Sequence, residues 1–326
     1  MKKPSLIAAA LTTLLAVSGA THAADAYPTK PISMIVPFAA GGPTDVVARA
    51  LADVMTKNMG QSVIVENKAG AGGTVGTGEV ARAPGDGYKL LLMHIGFTTA
   101  PSLYRKLSYD VTKDFEPIGL VVDVPMTLIT HNDFPANNYK EFEAYIKANR
   151  AKINLANAGT GSASHLCGML YTSTIQTDIQ TVPFGGTAPA LTALRGKQVD
   201  FLCDQSTNTS TQITGKTVKA LAVTSSKRMP TLSDVPTLDE SGLKGFQLGI
   251  WHGLWAPKGT PKPVVDKLVA SLQEALNAPV FKGRMQVLGA NVFSKADATP
   301  AALGKQVAGD LAKWAPIIKK AGTYAD

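Results

Sequence analysis

Several things are scarce in this 326-residue chain, and each scarcity narrows what it can be. Aromatic residues make up 6% of it, and past the N-terminus no apolar run reaches the ~18 residues that a membrane span needs. The bulk of the chain is therefore expected to be soluble. Lys and Arg outnumber acidic residues, 32 to 24, for a formal charge of +8. They are scattered, with no basic stretch interleaved with aromatics, so no nucleic-acid partner is expected. His94, His131 and His252 stand without spaced partners, so metal chemistry is not expected either. There are two cysteines and no C-x-x-C pair, which excludes the common zinc and redox motifs.

What is present starts with the N-terminus. Lys2 and Lys3 precede an apolar stretch, Leu6 to Val17, that ends in small residues around Ala23. That is the layout of a secretory signal spanning 1–23, cleaved after Ala23 and too short to anchor the chain. Export to the periplasm follows. In an oxidising compartment Cys167 and Cys203 are expected to pair, two buried free thiols being the alternative.

From Ile32 on, short apolar runs alternate with helical patterns, which implies α/β architecture with mostly parallel sheets. The strand Ile32–Val36 leads into a helix over 44–59 with Val46, Val47, Ala50, Leu51, Val54 and Met55 on one face, stopped by Gly60. The run "FEPIGLVVDVPMTLITH" reads as two strands split at Asp123–Pro125, and "DQSTNT" as a loop. The helical patterns near 264–276 and 300–320 have no strands of their own and should return to cover the first unit. The expected domains are 24–124 with 251–326, and 125–250. Crossings are placed near 121–127 and 246–255.

Three stretches share one layout: a strand, then glycines, then a helix start. In "VPFAAGGPTD", Phe38, Ala40, Gly41, Gly42 and Thr44 offer backbone amides and a hydroxyl to an anion, and Asp45 is awkward beside it. In "NAGTGSASH", Gly159, Thr160, Gly161, Ser162, Ser164 and His165 do the same. In "VPFGGTAPA", Gly186 and Thr187 precede a helix with Pro189 near its start. Asp204 and Gln205 end a further strand; an ionised Asp204 inside a cleft would favour a ligand carrying an amine or hydroxyl donor. Ser162 or Ser164 with His165 also permits a serine hydrolase, but the nucleophile elbow G-x-S-x-G is incomplete here. "GAGGTVGTG" fails the dinucleotide fingerprint because Val75 stands where the third glycine belongs, and no cofactor is expected.

Taken together, "YPTKPISMIVPFAAGGPTDVVARALA", "VENKAGAGGTVG", "PGDGY", "NAGTGSASHL", "VPFGGTAPALTALRGKQVD" and "GLWAPKGTPKPVVDKL" resemble the Bug-type solute receptors of tripartite tricarboxylate transporters. The resemblance runs in order along essentially the whole chain beyond the leader. It implies a Venus-flytrap periplasmic binding protein (type II-like): two α/β domains joined by crossing hinge strands around a ligand. It further implies a monomeric, non-catalytic receptor whose partner is a membrane permease with one large and one small subunit. One ligand carboxylate would be gripped, with ordered water, by the loops matching 38–45 and 159–165. The far end would meet the stretches matching 185–188 and 204–205. Ligands implied are di- and tricarboxylates, acidic amino acids or aromatic carboxylates.

Overall fold

The computed structural model describes residues 27–322; the expected signal segment lies outside the described residues. In chain order the elements are β1 (Ile32–Val36), α1 (Pro43–Met59), β2 (Val63–Asn67), α2 (Thr74–Ala81), β3 (Lys89–His94), α3 (Gly96–Leu103) and β4 (Phe115–Thr130). Then come α4 (Tyr139–Asn149), β5 (Asn154–Asn157), α5 (Ala163–Thr174), β6 (Gln180–Pro183), α6 (Thr187–Arg195), β7 (Phe201–Gln205) and α7 (Ser206–Thr214). The chain ends with β8 (Lys219–Val223), β9 (Gly249–Pro257), α8 (Lys262–Asn277), α9 (Pro279–Val287), β10 (Asn291–Val292) and α10 (Pro300–Ala321).

Two parallel three-stranded units sit at the ends of the structure. In the first lobe β1 lies between β2 and β3; in the second, β5 lies between β6 and β7. Antiparallel strands join them. β9 pairs with β3 and with the first part of β4, while the last part of β4 pairs with β7 and β8. Together these make the two-lobed α/β periplasmic-binding-protein architecture, with a mixed sheet in each lobe.

β4 corrects the expectation of two strands broken at Asp123–Pro125. It is one 16-residue strand. Pro125 pairs with Gly249, the first residue of β9, and Met126 already pairs with β7. The donor that proline lacks is thus missing where the strand changes neighbours, and the ladder loses little by it. The chain crosses back at Leu248, whose N–H bonds the Thr224 carbonyl, before Gly249 starts β9.

The burial pattern explains the elements. The central parallel strands of the first lobe carry apolar runs, as strands covered on both faces do: Met34, Ile35 and Val36 in β1 and Leu90 to Leu92 in β3 have no exposed surface, whereas the edge strand β6 is polar and largely exposed. α1 turns Val47, Leu51 and Met55 inward and ends at Gly60, whose φ of 68° is the left-handed cap. Trp255 stacks on Phe97 at 4.5 Å in the first-lobe core. α8 packs on α1 and α10 on α3 and β4, so the C-terminal helices close over the first sheet. "DQSTNT" corrects to the end of β7 (Asp204, Gln205) and the start of α7, whose inward face is polar (Ser206, Thr207, Thr209, Ser210) and so shows no apolar period.

Cys167 in α5 and Cys203 in β7 form a disulfide, with Cα atoms 6.0 Å apart. It fastens the helix that carries one glycine loop to the strand that ends at Gln205. Closing 36 residues of separation restricts the unfolded chain by roughly 3–4 kcal/mol on the loop-entropy account. Replacing both cysteines by alanine should lower the unfolding free energy by that order in a urea titration of the oxidised protein; an unchanged midpoint would remove the bond from the stabilising interactions.

Candidate functional site

The carboxyl ends of β1, β2 and β3 face those of β5, β6 and β7, and a cavity of about 260 Å³ lies between them. From the first lobe it is lined by residues 37–39 and 42–44, the loop 69–73 and His94; from the second, by residues 158–159, 162–164, 184–187 and 204–205. Ligands of open α/β sheets bind at such strand ends. Four helices of nine residues or more, α1, α5, α6 and α7, begin at this cavity. Each ends in N–H groups without intrahelical acceptors and in the positive end of its dipole. No Lys or Arg is among the lining residues. The first-lobe and α5 sides of the site offer helix-start amides in place of a formal cation.

The opening glycine loop is shaped by Asp45. Its buried carboxylate accepts the Gly41 amide, Arg49 Nε and Asn67 Nδ2, each at 2.9 Å, and Asn67 also donates to the Phe38 carbonyl. Burial alone would raise its pKa, but these donors and the Arg49 charge outweigh it and hold the group below the usual carboxylate range. Asp45 is therefore an anion aimed away from the cavity. Gly41, at φ 76°, supplies the left-handed turn and spends its amide on Asp45 rather than offering it outward. Ala40, Gly41 and Asp45 do not line the cavity; Phe38, Gly42 and Thr44 do.

Thr44 is tied to His252, which lies edge-on to His94, two histidines that the sequence left isolated. His252 Nδ1 meets the Ile250 carbonyl at 3.1 Å, which puts its proton there, and Nε2 then accepts the Thr44 hydroxyl at 3.2 Å. His94 lies opposite His252 in the β3–β9 ladder and stacks on Phe38 with centroids 4.5 Å apart. Its Nδ1 accepts the Gly96 amide, leaving the proton on Nε2. Burial lowers both pKa values, that of His252 to about 4, so the pair is neutral near pH 7.

In the second lobe Ser162 caps α5 by accepting the His165 amide, and Ser164 Oγ accepts the Ala158 amide at 2.7 Å. The two hydroxyls lie 3.1 Å apart. The His165 ring points elsewhere: its Nδ1 accepts the Gly161 amide. Neither serine is bonded to an imidazole, so the hydrolase reading lacks its base–nucleophile contact. Gly159, Ser162 and Ser164 line the cavity, whereas Thr160, Gly161 and His165 stand behind it.

Gly186, Thr187, Asp204 and Gln205 form the far wall. α6 starts at Thr187 with Gly186 as its N-cap, so Pro189 is the third helical residue, inside the first turn. Asp204 Oδ1 accepts the Gln205 amide at 2.8 Å, while Asp204 Oδ2 and Gln205 Oε1 have no hydrogen-bond partner although both residues are buried. Desolvation lifts the Asp204 pKa to about 6 against the easing effect of the Thr187 hydroxyl and the Gln205 amide.

The loop 69–73 is the element that motif reading passed over as a failed fingerprint. At Gly72 a Cβ would overlap the Thr160 carbonyl and the Tyr104 hydroxyl, and Tyr104 itself donates to Thr160 O across the cleft at 3.1 Å. A Cβ on Gly186 would come within 3.2 Å of the Ala39 side chain. The lobes thus meet over the cavity, backbone against backbone. The available signal was position: the loop follows β2, one of the strand ends that must face the cleft.

A family model described as "Tripartite tricarboxylate transporter family receptor" matches residues 47–323. The solved structure of the periplasmic binding protein BugD is 60% identical, with a TM-score of 0.88, covering 91% of this chain and 99% of that one. MatC from Rhodopseudomonas palustris, solved with bound malate, is 40% identical with a TM-score of 0.86, over 90% and 100% of the two chains. R. palustris Rpa4515, solved with adipate, is 29% identical with a TM-score of 0.86, over 91% and 98%.

The buried Asp204 carboxylate carries a stability signature. Its folded pKa is raised above the 3.8 of the unfolded chain, so the folded state favours the proton, and stability is lost as pH rises from about 4 through 6. The cost at pH 7.5 is roughly 3 kcal/mol at one unit per 1.4 kcal/mol. In calorimetry of the unliganded protein, Asp204→Asn should melt several degrees higher than the parent at pH 7.5, and the gap should close by pH 4. A gap that is the same at both pH values would show that the carboxylate is not desolvated.

Proposed function

Since this chain belongs to the tripartite tricarboxylate transporter receptor family, we propose that it is an exported, monomeric solute receptor. It would capture a small organic carboxylate in the periplasm and present it to a two-subunit membrane permease. The observation that carries the reading is the convergence of four helix N-termini and a set of small polar loops on one cavity between two lobes. Such a cavity suits an anion, and it joins no nucleophile to a base. MatC holding malate and Rpa4515 holding adipate support a carboxylate as the cargo.

In this reading the first-lobe residues Phe38, Gly42 and Thr44, with His94 Nε2 nearby, and the second-lobe residues Gly159, Ser162 and Ser164 take one carboxylate. Gly186, Thr187, Asp204 and Gln205 take the other end. Ala40, Gly41, Asp45, Thr160, Gly161 and His165 shape the two loops from behind. The lobes, 24–124 with 251–326 and 125–250, hinge where β4 changes sheets at Pro125–Met126 and where the chain returns at Leu248–Gly249. Ligand contacts made on both lobes favour the closed form, because a ligand shifts a population only by binding one state better than the other. The N-terminal segment 1–23 serves as the export signal and is removed.

Two measurements test this. In a thermal-shift screen of four- to six-carbon mono- and dicarboxylates, the cognate ligand at about 100 times its dissociation constant should add about 2.7 kcal/mol of stability. No stabilisation by any of them would end the carboxylate reading. Gly72→Ala adds a Cβ that would overlap the Thr160 carbonyl across the cleft as the lobes stand here. It should weaken carboxylate binding about ten-fold or more by depleting the closed state, and, because Gly72 sits at φ 60°, left-handed strain should also lower the unliganded melting temperature modestly. Undiminished affinity would mean that binding does not need this closure.

A further inference from the structure

The lobes also meet away from the cavity. α9 ends in a turn, Leu288–Gly289, and β10 follows it, paired with β4 at Val122 and Asp123 just before β4 changes sheets. The turn belongs to the first lobe, yet the groups around it come from the second. A Cβ on Gly289 would overlap Met229 Cε and come within 3.3 Å of Thr231 Oγ1 and 3.5 Å of Ser206 Oγ. The Ser206 hydroxyl donates to the Gly289 carbonyl at 3.3 Å, and the Ser210 hydroxyl to the Leu288 carbonyl at 3.4 Å. Met229 is buried and is backed by Val223 and Leu232. Gly289 has a φ of 72°, so the turn needs glycine both for its left-handed backbone and for the room it leaves. None of these residues lines the cavity.

A lobe-to-lobe contact that touches no ligand can act on binding only through the balance of open and closed forms. Apparent affinity scales with the fraction of molecules in the competent form, so such a contact changes the affinity for every ligand by one common factor. We propose that the Leu288–Gly289 turn, seated against Met229, Thr231, Ser206 and Ser210, is a closure latch that sets the receptor's affinity from outside the ligand chamber, with Gly289 the residue that lets it seat. This deepens the receptor reading and rests on it. Two features favour a latch over fixed packing. The contact is narrow: one flexible methionine and two hydroxyl bonds longer than the usual ~2.5–3.0 Å can part without unfolding either lobe. Both of its sides are also tied to the moving parts. α7 begins directly after Gln205 of the cavity wall, and the turn is held through β10 to the shared strand β4.

The experiment is titration calorimetry of the purified, disulfide-intact protein at pH 7.5 with succinate, L-malate, L-glutamate and adipate. Gly289→Asn keeps the left-handed turn, which asparagine tolerates best after glycine, but puts a side chain between the lobes. It should weaken binding about tenfold, by a factor that agrees within about twofold for every acid that binds. Ser206→Ala combined with Ser210→Ala adds no bulk and should weaken binding about threefold, again uniformly. Gly60→Asn, at φ 68° with open space around it, carries the same backbone strain outside the latch and should leave the dissociation constants unchanged. Melting curves establish that each variant is folded; should Gly289→Asn fail to fold, the serine pair decides alone. Unchanged affinity in the latch variants, or losses that differ between acids by more than about threefold, overturn the latch and leave a carboxylate receptor standing. If no acid binds the parent protein, the carboxylate reading fails and the latch falls with it.

Discussion

Everything in this molecule depends on one strand being shared by two sheets. β4 donates its first part to the first lobe and its last part to the second, and the change falls at Pro125, whose missing N–H marks the end of pairing with β9. Because a single extended segment runs through both lobes, their six parallel strand ends are held facing one another. Antiparallel β9 lies beside it and carries His252 to the back of the opening loop. The cavity is what remains between two half-sheets pinned along a common axis.

That frame accounts for how the site attracts an anion with no lysine or arginine in its wall. Each strand end hands over to a helix, and each helix start exposes N–H groups and a partial positive charge, worth about 0.3–1 kcal/mol apiece near the surface. The formal charges of the neighbourhood are occupied elsewhere. Asp45 and Arg49 neutralise each other behind the loop, and the buried histidines are uncharged. The result is a polar but nearly charge-free chamber with one exception, the carboxyl of Asp204.

How much of this was legible in the sequence varies with the kind of signal. Strands such as Ile32–Val36 and helices such as α1 follow from apolar period and from Gly60, so their limits read almost directly. The loops at "VPFAAGG", "NAGTGS" and "FGGT" were visible because glycines and caps recur at strand ends. β4 was misread because proline was weighed as a strand breaker, when the change of partners cancels its cost. α7 was missed because its inward face is serine and threonine, packed among polar groups instead of apolar ones. His94 looked isolated because its relation to His252 and Phe38 exists only across strands. Asp45 had a readable partner at the next turn, Arg49, but its third contact, Asn67, lies on another strand.

The absence of cations from the chamber has a kinetic side. Helix-end fields fade within about a turn, whereas charged side chains reach out over a Debye length of roughly 8–10 Å. The chamber itself therefore exerts little pull until a solute is already between the lobes, and any steering from farther out falls to the chain's surplus of basic side chains. The chamber judges each visitor at contact distance, by the pattern of donors and acceptors it carries.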